Sequence, residues 1–264
     1  MKHLQALIGA LILFVAASCT KNQVEGYGSV SFALDNNVEI VEQTRSQSES
    51  ENENGSNVSD YTTLPLAGDF TITIKNASGE QVWTGKVSEW DSTTTLTAGN
   101  YIVEAAYGSL EEEGFDKPYF YGTENFVVTG GNTTTVPIKV SLGSTIIKMS
   151  YSDNFKNYFK DYSFKLTRSS AEIVAFTKDE TRGAFIDGYK IKVEGTMTGE
   201  QLIENEDGEF VPKTFSYSKE YSNLNEATAY TLAFDVNNVG GATLTVSFDD
   251  TVETVELGDI ELNE

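Results

Sequence analysis

The sequence predicts an all-β chain of two β-sandwich domains in tandem, and three observations carry that prediction. Thr, Tyr, Phe and Val are plentiful, whereas only 4 of the 264 residues are Pro. Apolar residues recur at alternate positions in short runs, which puts them on one face of a pleated strand. Gly, Asn and Asp gather between those runs, where tight turns need them.

The first eighteen residues stand apart from this pattern. Lys2 and His3 precede an apolar run over residues 4–15, too short to span a bilayer unaided, and Ala16-Ala17-Ser18 leads to Cys19, the single cysteine of the chain. This is the pattern of a bacterial lipoprotein signal: residues 1–18 are expected to be removed and Cys19 to be acylated as the new N-terminus. Acyl chains would anchor the protein to a membrane rather than thread it through one. With no second cysteine to pair with, a disulfide is excluded, and each core has to be stable through buried area.

The first domain is assigned to residues 19–141. Val30, Phe32 and Leu34 share a face in residues 29–34, and Phe70, Ile72 and Ile74 do so in residues 70–75. Asn76-Ala77-Ser78-Gly79 then supplies a turn, and residues 81–86 return as the second arm of a hairpin. A short strand at 94–96 follows, then Tyr101, Val103, Ala105 and Tyr107 on one face, a strand at 126–129, the turn Gly130-Gly131-Asn132, and a strand at 133–140. About seven strands are the complement of one sandwich. Residues 36–60 break the pattern: the stretch from 42 to 60 has one apolar side chain, Val58, among Ser, Glu and Asn, so a disordered loop is expected there.

Gly143 marks a short joint, and residues 142–264 form the second domain. Ile147, Met149 and Tyr151 alternate; Phe155, Tyr158, Phe159 and Tyr162 then fall at spacings of three and four, which predicts a helical turn capped by Ser152 or Asp153. Strand patterns resume over residues 162–166, 173–176, 189–195, 215–221, 229–236, 242–248 and 252–257. Asp187-Gly188, Glu206-Asp207-Gly208 and residues 238–241 supply the turns between them.

Charge and composition exclude several functions. The formal charge of −22 becomes −23 once Lys2 leaves with the signal, so nucleic acid is not an expected partner. His3 is the only histidine and leaves too, which removes Ser-His-Asp and Cys-His catalysis and histidine metal sites. Neither an enzyme nor a cofactor is expected. The oxygen-rich clusters Glu204-Asn205-Glu206-Asp207-Gly208-Glu209 and Asp249-Asp250 lack the spacing of a calcium loop and read as hairpin turns, so no metal is expected either.

Three other groups are candidates. Trp83, Trp90, Phe115, Tyr119, Phe120 and Tyr121 could present flat faces to a glycan, although alternation in Pro118-Tyr119-Phe120-Tyr121-Gly122 sends Phe120 into the core and both tyrosines the other way. Glycan capture predicts exposed, coplanar rings. Asp91-Ser92-Thr93 and Asp250-Thr251-Val252 match a three-residue O-glycosylation acceptor, with Ser92 and Thr251 as the modified residues.

The lipoprotein signal, Gly28-Ser29-Val30-Ser31-Phe32, Thr44-Arg45, Phe70-Thr71-Ile72-Thr73-Ile74, Leu96-Thr97-Ala98-Gly99-Asn100-Tyr101, Ala105-Ala106-Tyr107-Gly108, Pro118-Tyr119-Phe120-Tyr121-Gly122 and the strand at 136–142 together resemble a family of uncharacterised Bacteroidetes lipoproteins. That family is grouped with fimbrillin-like and cell-adhesion proteins. The resemblance implies sandwich domains of immunoglobulin-like or transthyretin-like build and a non-enzymatic role in adhesion or fimbria-like surface assembly at the outer membrane. It also implies a maturation step in which an arginine-specific protease cuts after the first strand, so that a neighbour's strand fills the groove. Arg45 stands where that cut would fall, and residues 252–262 are the candidate donor. Partners would be the membrane, through the lipid, and other pilus or surface-protein subunits. The competing expectation is a glycan-binding surface lipoprotein serving a polysaccharide uptake system. Only one acid follows Cys19 within residues 20–25, so the leaflet that the protein faces is left open.

Overall fold

The structure, a computed structural model, describes residues 26–43, 56–237, 242–248 and 251–258. Its first half contains β1 (Tyr27–Asp35), β2 (Glu39–Gln43), β3 (Ser56–Asn57), β4 (Thr71–Asn76), β5 (Gln81–Lys86), β6 (Thr95–Thr97), β7 (Gly99–Tyr107), β8 (Gly114–Phe115), β9 (Phe120–Val128), β10 (Thr133–Lys139) and β11 (Ser141–Leu142). The second half contains β12 (Thr145–Tyr151), helix α1 (Asp153–Tyr158), β13 (Phe159–Arg168), β14 (Ala171–Thr177), β15 (Ala184–Ile186), β16 (Lys190–Glu204), β17 (Phe210–Ser222), β18 (Thr228–Asn237), β19 (Ala242–Phe248) and β20 (Thr251–Gly258). Among the described residues, helix is confined to α1 and three single 3-10 turns at Val58–Asp60, Ala67–Asp69 and Val87–Glu89. The chain is nearly all β.

In the first half a three-stranded sheet, β10-β1-β6, faces a five-stranded sheet, β11-β9-β7-β4-β5. Their inner faces meet in one core, where Val30 and Ile138 pack with Ile72, Ile74, Val103 and Phe120. Burying a side chain of this size contributes about 1.5–3 kcal/mol, so the alternation of apolar residues decides which face turns inward. In the second half the sheet β20-β19-β18-β12-β15-β8 faces β14-β13-β16-β17, and Leu232, Phe234 and Val246 meet Phe164, Phe176 and Met197 between them.

Local signals explain the joints. Asn76 Oδ1 accepts from the backbone N–H of Ser78 and Glu80, both at 3.0 Å, and Gly79 takes φ +80°, which closes the β4–β5 hairpin. Ser152 caps α1, its Oγ accepting from Phe155 N at 3.1 Å. The helix covers only Asp153–Tyr158, with Phe155 fully buried; Phe159 and Tyr162 belong to β13 instead.

The expectation of a disordered loop over residues 36–60 is corrected at both of its ends. Residues 39–43 form β2, which buries Ile40 and runs parallel to β18. Residues 56–60 form β3 and a 3-10 turn in which Asn57 and Asp60 make a reciprocal capping box around fully buried Val58. The two apolar residues on which this depends, Val38 and Ile40, are too few to stand out among Asn36, Asn37, Glu39 and Glu42. Residues 44–55 lie outside the described residues, as do the expected turn at 238–241 and Asp249-Asp250.

The joint at Gly143 is not the sole link between the halves. β2 pairs with β18, and β8 pairs with β15, so strands from the first half extend the largest sheet of the second. Ile146, Phe185 and Ala229 pack in the first core, and Phe115 packs against the second. Glu113 accepts from Arg168 Nη1 at 2.5 Å and from Asp187 N at 2.8 Å, and Arg182 donates to Asp116 at 2.8 Å while lying over the Phe115 ring.

Candidate functional site

Two kinds of surface carry chemistry: strand edges able to pair with another chain, and concave or aromatic faces able to hold a ligand. β1 is the first strand to consider, because β6 pairs with only its Tyr27–Ser29 end. It lies parallel to β10 and antiparallel to β6. Its solvent face forms a hydroxyl ladder, Ser29 with Thr133 at 2.7 Å and Ser31 with Thr135 at 3.1 Å. Its core face carries Val30, Phe32 and Leu34, and Trp90 Nε1 donates to the Val30 carbonyl at 2.8 Å. Three residues after β1 the chain enters β2, so residues 26–43 supply one strand to each half. Arg45, the candidate cleavage point, and Cys19, the candidate lipid site, lie outside the described residues.

β20, which contains most of the candidate donor strand, ends its sheet and, among the described residues, pairs only with β19. It is latched from the opposite sheet: Glu253 takes an ion pair from Lys219, and Lys213 Nζ donates to the Leu257 carbonyl at 2.9 Å. Beneath the latch the Tyr217 and Tyr221 hydroxyls are 2.9 Å apart, and burial pushes the Tyr221 phenol up to about 12. That pair stays neutral and hydrogen-bonded across the ordinary pH range.

The candidate aromatic residues are placed by packing. Trp83 and Trp90 meet edge to face at 81° with centroids 5.0 Å apart, both half-buried against the first core. Tyr119 and Tyr121 stack at 5.8 Å and 16°, half-buried and exposed respectively, while Phe120 between them is fully buried, as alternation predicts. A Cβ on Gly143 would lie 2.5 Å from the Tyr119 ring, so glycine there is what lets the ring lie on the joint. Tyr121 reaches into the second half, its hydroxyl donating to Glu226 at 3.0 Å. Phe115 is covered by Arg182 and packs on Phe176.

Both candidate glycosylation residues are exposed; Ser92 lies in a turn and Thr251 opens β20. Asp91 accepts from the backbone N–H and the hydroxyl of Thr93, at 2.8 and 2.7 Å, which holds its carboxyl below the ordinary range and leaves Ser92 at the tip. The Thr251 hydroxyl donates to the Phe248 carbonyl at 2.7 Å. Residues 204–209 close the β16–β17 hairpin through Asn205 and Gly208, the latter at φ +78°. Among the described residues no group of three or more acidic or histidine side chains is arranged to hold a metal.

A surface that the sequence did not single out lies on the outer face of β14-β13-β16-β17. Two adjoining hollows of about 560 and 410 Å3 share Lys165 and Glu194. Glu194 sits between two ammonium groups, Lys192 at 2.7 Å and Lys165 at 3.6 Å, and the Lys192 hydrogen bond holds its carboxyl below the ordinary range. Lys190 pairs with Glu220 at 3.1 Å. Short side chains, Ser163, Thr196, Ser216 and Ser218, leave the floor low. The rim is closed by the β13–β14 hairpin, where Ser169 and Ser170 both take left-handed φ, +48° and +71°. Lys190, Lys192 and Glu194 do alternate in the sequence, but their cross-strand neighbours become visible only once β13 and β17 are paired with β16.

Fold and surfaces define a multi-sheet β-sandwich protein. Its family follows from a match over residues 26–263 to the model described as Domain of unknown function (DUF4493), and the chain belongs to that family. No curated protein matches it. Among solved structures, similar ones include a candidate cell adhesion protein from Bacteroides eggerthii, at 10% identity and TM-score 0.44, covering 88% of this chain and 96% of that one. The fimbrial anchor protein Mfa2 from Porphyromonas gingivalis is 9% identical with TM-score 0.38, covering 86% and 98%. A fimbrial assembly protein from Parabacteroides distasonis is 8% identical with TM-score 0.37, covering 88% and 99%.

Proposed function

We propose that the protein is a non-enzymatic component of the cell envelope, lipid-anchored through Cys19, that acts in adhesion or fimbria-like surface assembly. The observation that carries this reading is the placement of residues 26–43, which precede Arg45 and contribute β1 to one half and β2 to the other. A cut at Arg45 would turn an internal segment into a noncovalent one that an incoming strand could displace, because main-chain pairing gives affinity without demanding a particular side-chain sequence. Val30, Val38 and Ile40 are buried and Phe32 and Leu34 half-buried, so the cut segment would stay bound until a competitor replaced it. The latch on β20 would have to open first if that strand were the donor.

Limited trypsin digestion followed by gels run without boiling tests the proposal. The expected result is a cut at Arg45, retention of the N-terminal fragment, and a ladder of oligomers that is absent from the Arg45→Gln variant. A cut chain that keeps no fragment and forms no ladder would remove assembly by strand exchange. Metabolic labelling with a fatty acid, lost in Cys19→Ser, tests the anchor separately.

A further inference from the structure

We propose that the outer face of the β14-β13-β16-β17 sheet is a saccharide-binding trough. The inference rests on the reading of the chain as an adhesion component, to which it adds a ligand class and a site. The two hollows adjoin along the sheet face, so the trough is long enough for a chain of sugar rings rather than a single ring. Its central feature is the Lys165–Glu194–Lys192 bracket, in which acceptor oxygens and ammonium donors stand side by side. Neighbouring sugar hydroxyls need that mixture, since each hydroxyl donates to one group while accepting from another. Ser163, Thr196, Ser216 and Ser218 add short donors and acceptors on a floor low enough for a ring to lie flat.

Tyr189 supplies the apolar element at the end of the trough. It is 73% exposed, yet its backbone is fixed: its N–H donates to Asp187 Oδ1 at 3.0 Å, its carbonyl accepts from Asn223 N at 3.1 Å, and the preceding Gly188 packs where a Cβ would meet the Leu224 carbonyl at 2.3 Å. A large ring on a rigid turn, with no ring partner among the described residues, is poised to stack on the face of a sugar.

Other ligand classes fit less well. A peptide strand needs an open backbone edge or apolar side-chain pockets, whereas the centre of this face is paired backbone under polar side chains. A polyanion would find Lys165, Lys190, Lys192 and Arg168 in the trough already paired with Glu194, Glu220 and Glu113, and a chain of net charge −22 around them.

Native gels cast with soluble β-glucan, xylan, α-mannan, dextran or polygalacturonate test the proposal on the whole mature chain. Retardation is expected with at least one neutral polymer, and apparent affinity should fall about tenfold or more in Tyr189→Ala and in Glu194→Gln, as for loss of a central contact. Tyr189→Ala removes an exposed ring, and an unchanged melting curve shows that the fold is intact. Three results would overturn the trough: retardation by none of the five polymers, retardation equal in wild type and both variants, or retardation by polygalacturonate alone that disappears in about 0.5 M NaCl, where charge attraction is screened. The oligomer ladder after trypsin is read independently, so a failed trough and a failed assembly reading give different results.

Discussion

β1 and β12 hold matching places and are built differently. Each opens its half of the chain, and each lies parallel beside a late strand, β10 and β18 respectively. β12 is interior: it has β15 on one side and β18 on the other, and Thr145, Ile146, Ile147 and Met149 are all buried. β1 is interior only in the narrow sense of having two neighbours, one of them the three-residue β6. One of its faces is a solvated ladder of hydroxyls, and Tyr27 at its start is 66% exposed. The same topological position therefore yields one strand on which a core depends and one that could be exchanged.

The largest effect should come from truncating the interior strand. Ile147→Ala removes a fully buried side chain from the second core and should cost about 2–5 kcal/mol, a large part of the stability of an ordinary domain. Urea unfolding would show it as a lower midpoint at unchanged slope. Val30→Ala, the equivalent change in β1, should cost about 2 kcal/mol. A loss per deleted carbon that is equal at the two positions, two carbons at Val30 and three at Ile147, would mean that β1 is as deeply built in as β12, and the case for its exchange would collapse.

Next in size is Trp90→Phe. It keeps the ring packing against Phe32 and Trp83 but leaves the Val30 carbonyl without its indole donor, a loss of about 1 kcal/mol. The same substitution should raise the rate at which residues 26–43 leave a chain already cut at Arg45, because it loosens β1 and touches nothing in β12. A release rate identical to that of cut wild type would show that the indole does not hold β1.

How far these differences could be read in advance depends on the range of the contacts involved. β1, β4, β5, β7, β10, β12 and β13 were legible because two-residue alternation is written within each strand. So were the Asn76–Gly79 turn, the Ser152 cap and the inward turn of Phe120. β2, β8 and β15 were not, because each has only two to five residues and takes its place from strands far away in the chain: β18 for β2, β15 for β8, and β12 and β8 for β15. The expected loop at 36–60 failed for that reason: Ile40 finds its place through β18, almost two hundred residues away in the chain. The candidate site follows the same rule. Trp83 and Trp90 stood out by residue type, but where their rings point is set by Phe32 and Val30 on a distant strand. The Lys165–Glu194–Lys192 bracket joins two strands and has no signature in either one.

The smallest effect separates the two strands by acid. Glu180 accepts from Arg182 at Nε, Nη2 and the backbone N–H, at 3.1, 2.8 and 2.9 Å, and these bonds lower its carboxyl from 4.5 to about 2. The cluster stands just before β15, the neighbour of β12, and Arg182 continues to Asp116 beside β8. Among the described residues no ion pair involves β1. A carboxyl whose folded pKa is depressed adds stability that is complete above its unfolded value and is lost as pH falls through the folded one, here between about 4.5 and about 2. Wild type should therefore exceed Glu180→Gln in urea midpoint at neutral pH, and the gap should close as pH is lowered across that window. Val30→Ala should sit below wild type by a margin that does not change over the same range. A gap between wild type and Glu180→Gln that is constant with pH would show that the Arg182 contacts do not favour the charged carboxylate, leaving the β15–β8 link to pairing and packing alone.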